Sequence, residues 1–184
     1  MRFGSRRYSA LIVTGFFGRR RDAAPVSGAG ASQLYDTVCT HLHGADDDSV
    51  RIVTAMAGLL ATVAYADREW SDKEERRLRA ELGRVNGLEA DGVAAILGAL
   101  RENVVEISTT QTPHYTRDLR ALANRDLRLE VLDVLVGLAA ADGSISFDEV
   151  TLLRNTATAL GLTQDDYNAM QDRYRDKLSF LQSS

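Results

Sequence analysis

Apolar residues recur in steps of three and four from Val50 to Leu181, and no stretch shows sustained alternation. That period puts one side of an α-helix in a core, whereas a half-buried strand needs alternation. From Val50 to Ala66 the apolar positions are Ile52, Val53, Met56, Leu59, Leu60, Val63 and Ala64. This stripe is broad enough to predict a largely buried helix. Leu78, Leu82 and Val85 share the face of a second helix, expected to open at Ser71 and stop at Gly87. Val93, Ile96, Leu97, Leu100 and Val104 mark a third. Thr112-Pro113 reads as an N-cap followed by a first-turn proline, where the missing N–H is harmless. Leu127 through Ala139 continue the period. Ser146 opens another helix that Gly161 closes, and Thr163 caps a last one running through Tyr174, Leu178 and Leu181. Upstream, Ser32 is expected to cap a short helix ending near Gly44, and Ser49 to cap the helix beginning at Val50. The predicted fold is all-α, a bundle of seven to eight helices.

Only Pro25 and Pro113 interrupt the 184 residues, and one core of this size needs no covalent staples. Cys39 is the single cysteine, so neither an intramolecular disulfide nor a multi-thiolate zinc site can form. That usage fits a reducing, cytoplasmic setting. The net charge of −4 argues against nucleic acid as the main partner.

The first 31 residues differ from the rest. Arg2, Arg6, Arg7, Arg19, Arg20 and Arg21 flank the apolar run from Tyr8 to Phe17, which is too short to span a bilayer. Arginines follow it where a signal peptide has small residues. Two readings stand. Arg6, Arg7, Arg19, Arg20 and Arg21 could meet anionic lipid with Phe16 and Phe17 in the interface, or the segment is simply an N-terminal arm. Small residues with Pro25, Gly28 and Gly30 then suggest a linker over residues 23–31, leaving 32–184 as the helical domain.

Two segments repeat one pattern. Ala66-Asp67-Arg68-Glu69-Trp70-Ser71-Asp72-Lys73-Glu74 aligns without a gap on Ala141-Asp142-Gly143-Ser144-Ile145-Ser146-Phe147-Asp148-Glu149. In each, a buried helix ends near the aspartate and a tight loop follows. The loop is easier with Gly143 than with Arg68, because glycine enters left-handed backbone freely. The bulky Trp70 or Ile145 turns back to the core. Ser-x-x-Glu then forms a capping box, with hydroxyl and carboxylate each taking a free backbone N–H. The same carboxylates offer a second use. Asp67 with Glu74, and Asp142 with Glu149, supply the hard oxygens that suit Ca²⁺ or Mg²⁺. One oxygen can cap while the other binds. An EF-hand loop is excluded, since Glu149 at its twelfth position would put Leu138 and Ala140 at its first and third.

At these residues the chain resembles the TerB-like family, which includes tellurite-resistance TerB proteins and the helical domain at the front of DjlA-type co-chaperones. The second copy, with Leu152, Leu153 and Leu160-Gly161-Leu162 downstream, carries the likeness, and the first copy supports it. The resemblance covers residues 49–181. It implies a helical bundle with pseudo-repeated halves and divalent metal at Asp67, Glu74, Asp142 and Glu149. It further implies a non-catalytic part in tellurite and chemical-stress resistance, played with partner proteins near the inner membrane face. The sequence departs from the family at Arg68. It carries no J-domain signature.

No phosphate loop, dinucleotide fingerprint or nucleophile elbow occurs. His41 and His43 are two residues apart and point to different sides of a helix, so with Cys39 and Asp46–Asp48 they converge poorly on a metal. His114 has no evident partner in the sequence. A metal-free helical adaptor, and a hydrolase holding two ions on the carboxylate pairs, are the competing readings.

Overall fold

A computed structural model describes residues 28–140 and 145–174. Among them are eight α-helices: α1 Ala29–His41, α2 Asp47–Ala64, α3 Asp72–Leu82, α4 Ala90–Glu106, α5 Thr112–Leu122, α6 Arg125–Ala139, α7 Phe147–Ala159 and α8 Gln164–Asp172. A π-helical segment, Ile107–Gln111, joins α4 to α5. No strand occurs among the described residues; one isolated bridge pairs Leu42 with Leu88. The all-α expectation holds.

α2 is the axis of the bundle. Every residue from Ile52 to Ala64 is buried, and α1, α3, α4, α5, α6 and α7 all pack on it. α5 runs antiparallel beside it. Arg51 pairs with Asp118 at one end, Gly58 faces Tyr115 in the middle, and the hydroxyls of Thr62 and Thr112 lie 3.4 Å apart at the other. The Arg51–Asp118 pair is bidentate, at 2.8 and 3.3 Å, and both side chains are only 12% exposed. Removing one member of so buried a pair strands a charge, which typically costs several kcal/mol. At Gly58 a Cβ would sit 2.2 Å from the Tyr115 ring, so only glycine lets the two helices approach this closely.

Four helix boundaries differ from the sequence expectation. α1 opens at Ala29, ahead of Ser32. Gly30 and Ala31, expected in a linker, are buried, and a Cβ at Gly30 would meet Asn103 of α4 at 2.6 Å. These small residues permit close packing. Gly28, at the N-cap position, supplies no side-chain cap. Glu106 serves instead from α4, its Oε2 accepting the Gly30 N–H at 3.1 Å. α2 is capped by Asp46, whose carboxylate accepts the Ser49 N–H at 2.8 Å. Ser49 is therefore the third helical residue, and Asp47 and Asp48 lie in the first turn where the helix dipole favours acids. α3 ends at Leu82 with Gly83 at its C-cap; Gly87 belongs to the following loop, at φ +83°.

Thr112-Pro113 starts no new helix. The backbone stays right-handed helical from Ala90 to Leu122. Pro113 cannot donate to the carbonyl of Thr109, and its ring would crowd it. The wider π turn lies over those residues. Threonine hydroxyls on either side of Pro113 donate to carbonyls four residues back: Thr109 to Val105 at 2.6 Å, Thr110 to Glu106 at 2.9 Å and Thr116 to Thr112 at 3.1 Å.

Gly58→Ala should lower unfolding free energy by about 2 kcal/mol through overpacking against Tyr115. Gly98 lies exposed in α4 with nothing within 4 Å of a Cβ. Gly98→Ala should raise stability by about 0.5–1 kcal/mol. Urea denaturation of both variants checks the contrast.

Candidate functional site

The two corners begin from buried helices whose last turns leave backbone groups to satisfy. At the first, α2 closes at Ala64 and Tyr65. Arg68 donates its N–H to the Tyr65 carbonyl at 3.0 Å and stands at φ +67°, the one non-glycine in left-handed backbone among the described residues. Asp67 is exposed, and its Oδ1 accepts the Glu69 N–H at 2.9 Å, which holds the turn. Trp70 packs half-buried against the core and donates its indole N–H to Glu75 at 3.2 Å. Glu75 also pairs with Arg79 at 3.4 Å and with Arg101 of α4 at 3.3 Å, so one carboxylate ties the corner to two helices.

α3 then opens with the expected capping box. The Glu74 carboxylate accepts the Ser71 N–H at 2.8 Å, and the Ser71 hydroxyl accepts the Glu74 N–H at 3.2 Å. The second corner closes on nearly the same numbers. Glu149 accepts the Ser146 N–H at 2.7 Å, and Ser146 accepts the Glu149 N–H at 3.2 Å. Ile145 is 1% exposed and anchors this corner to the core. Asp142 and Gly143 lie outside the described residues. Leu138 and Ala140 are buried in the apolar cluster.

A third box opens α8, which the sequence reading assigned to Thr163 alone. Asp166 accepts the Thr163 N–H at 2.9 Å and also pairs with Arg125 of α6. The Thr163 backbone N–H, its hydroxyl and the Arg125 charge hold the Asp166 carboxyl below the usual range. The same is true of Asp46, through its bonds with Ser49.

Asp67, Glu74 and Glu149 thus each accept a backbone N–H in shaping a corner. Among the described residues no group of three or more His, Cys, Asp or Glu side chains converges as a metal site. Cys39 is exposed on α1. His114, for which the sequence offered no partner, contacts Arg117 at 2.9 Å. No helix among the described residues is long and apolar enough to cross a membrane. The residues of the arginine-rich arm, Arg6, Arg7, Phe16, Phe17 and Arg19–Arg21, lie outside the described part.

A family model described as "Tellurite resistance protein TerB" matches residues 53–172. The chain belongs to the TerB family. The match takes in both corners and runs from the middle of α2 to the end of α8. α1 precedes it, yet packs along α4 as part of the same core. No curated protein and no solved structure gives a significant match to this TerB-family chain.

Ser71→Ala and Ser146→Ala should each cost about 1 kcal/mol of unfolding free energy. Arg68→Gly should leave stability unchanged or raise it by up to about 1 kcal/mol, because the strain relieved is offset by a freer unfolded chain. The acid limb has a defined sign. Asp46 and Asp166 bind protons less readily folded than unfolded. Their contribution is present above the ordinary aspartate value of about 3.9 and is lost as pH falls through their lower folded values. Asp46→Asn, which keeps a capping oxygen, should make the loss of stability below about pH 4 shallower in acid titrations followed by circular dichroism.

Proposed function

We propose that this protein is a non-enzymatic TerB-family module for tellurite or chemical-stress resistance, presenting its acidic corners to partner proteins. The observation that carries the reading is the family match, which spans both corners. The acidic corners support it chemically. Asp67, Glu69, Asp72, Asp148 and Ser146 are exposed around the two capping boxes, where a partner's basic groups can reach them. A divalent cation, Ca²⁺ or Mg²⁺, completes the proposal. Asp142 and Glu149 would hold it at the second corner and Asp67 with Glu74 at the first, each capping glutamate using one oxygen for the helix.

Calorimetry of the full chain with Ca²⁺ and Mg²⁺ tests the metal. A saturable heat is expected for the wild type, and the Asp142→Asn, Glu149→Gln double variant should lose the share that comes from the second corner. Ser146→Ala, which weakens the cap but keeps both carboxylates, is the control. Equal heats in wild type and double variant remove the cation from the second corner, and the same comparison with Asp67→Asn, Glu74→Gln decides the first. Trp70, bonded to Glu75 beside the first corner, reports that half through its fluorescence.

A metal-free adaptor is favoured by a specific observation: Asp67, Glu74 and Glu149 are already engaged with backbone N–H groups. On that reading a partner captured from the native cell stays bound in chelator. Residence at the inner face of the membrane is proposed for the arm. Replacing Arg19, Arg20 and Arg21 by serine should abolish pelleting with anionic liposomes and leave the melting temperature unchanged. Truncation at Ala31 is the poorer test, since it removes Gly30, through which Glu106 holds α1.

A further inference from the structure

A cleft between α1, α2 and α5 is bordered by Tyr35, Arg51, Thr54, His114, Arg117 and Asp118. Arg51 lies in the first turns of α2, about 20 Å along the helix from the corner that follows Ala64. The cleft is therefore separate from the first acidic corner, and none of its bordering residues belongs to the second.

Its hydrogen bonds leave an imbalance. Asp118 accepts from Nε and Nη2 of Arg51. The Tyr35 hydroxyl donates to Asp47 at 2.5 Å, and the Thr54 hydroxyl donates to the Val50 carbonyl at 2.7 Å. Arg117 Nη2 donates to His114 Nδ1, because a guanidinium has no acceptor. Each guanidinium carries five N–H bonds, and these contacts use two from Arg51 and one from Arg117. Among the described residues the surplus is of donors, on two permanent cations against one bordering carboxylate, Asp118. Arg51 is held rigidly by Asp118, while Arg117 is exposed and able to swing. The cavity itself is about 10 Å³, room for one oxygen-sized atom.

We propose that this cleft binds a small oxyanion group, a phosphate or a carboxylate. One oxygen enters the cavity against Arg51, and Arg117 closes over the rest at the mouth. The forked guanidinium suits both groups. Asp118, and Asp47 bonded to Tyr35, hold the affinity to the order of 1 mM for the free ions. Recognition of a larger molecule carrying such a group would add contacts outside the cleft.

The test titrates full-length protein with inorganic phosphate and, separately, with acetate, following the His114 ring resonances against sodium chloride of matched ionic strength. Saturation by phosphate alone assigns a phosphate site, by acetate alone a carboxylate site, and by both a general oxyanion site. Arg117→Gln should weaken binding about tenfold with its melting temperature unchanged. Arg76→Gln, an exposed arginine of α3 outside the cleft, should bind as wild type. Absence of a saturable shift by about 10 mM overturns the proposal. So does equal binding by Arg117→Gln, or equal loss in Arg76→Gln.

Discussion

The close contact of α2 with α5 is the constraint on which the rest of the bundle depends. Three pairings set it: a bidentate ion pair at Arg51 and Asp118, ring on backbone at Tyr115 and Gly58, and paired hydroxyls at Thr62 and Thr112. They fix both the direction and the register of α5. An apolar surface alone would tolerate sliding by a turn. A buried ion pair does not, because a slip leaves two charges without partners in a poorly solvated place. Once α5 is seated, α4 follows through the π segment, and α1 is carried on α4.

Pro113 shows how a local defect is absorbed by such an arrangement. Its ring and missing N–H would break an ordinary helix. Here the ladder widens to a π turn, and the Thr hydroxyls around it donate to carbonyls one turn back. The helical path therefore passes from the α1–α4 layer to the α2–α5 layer without a loop. Burial at Ile107 and Gln111 seats one face of this passage on the core, with Thr109 and Thr110 exposed on the other.

The corners distribute carboxylates in a different way. A capping glutamate is pinned to its own backbone, so its position owes little to the rest of the fold. Glu74 and Glu149 consequently occupy matching places relative to Ser71 and Ser146, within about 0.1 Å in each bond. Glu75, one residue on, does a longer-range task by joining Trp70, Arg79 and Arg101. Local capping makes the corner rigid, and the Glu75 contacts orient it against α4.

What the sequence alone determined are the features written in neighbouring residues: the helical period, the burial of α2, the Ser-x-x-Glu boxes and the strained turn at Arg68. Each is signalled by the type and spacing of residues close in sequence, even where, as with α2, the partners that complete the burial lie far away. What only the tertiary structure decided are the features that join distant residues. Ser32 and Ser49 are plausible caps by type, yet Glu106 and Asp46 do that work, in the first case from across the bundle. Gly30 and Ala31 look like linker and prove to be packing surface, because Asn103 lies against them. The Arg51–Asp118 pair spans 67 residues, and no periodicity announces it. Pairing across such a distance depends on how the helices dock, which is a property of the assembled core and not of any one segment.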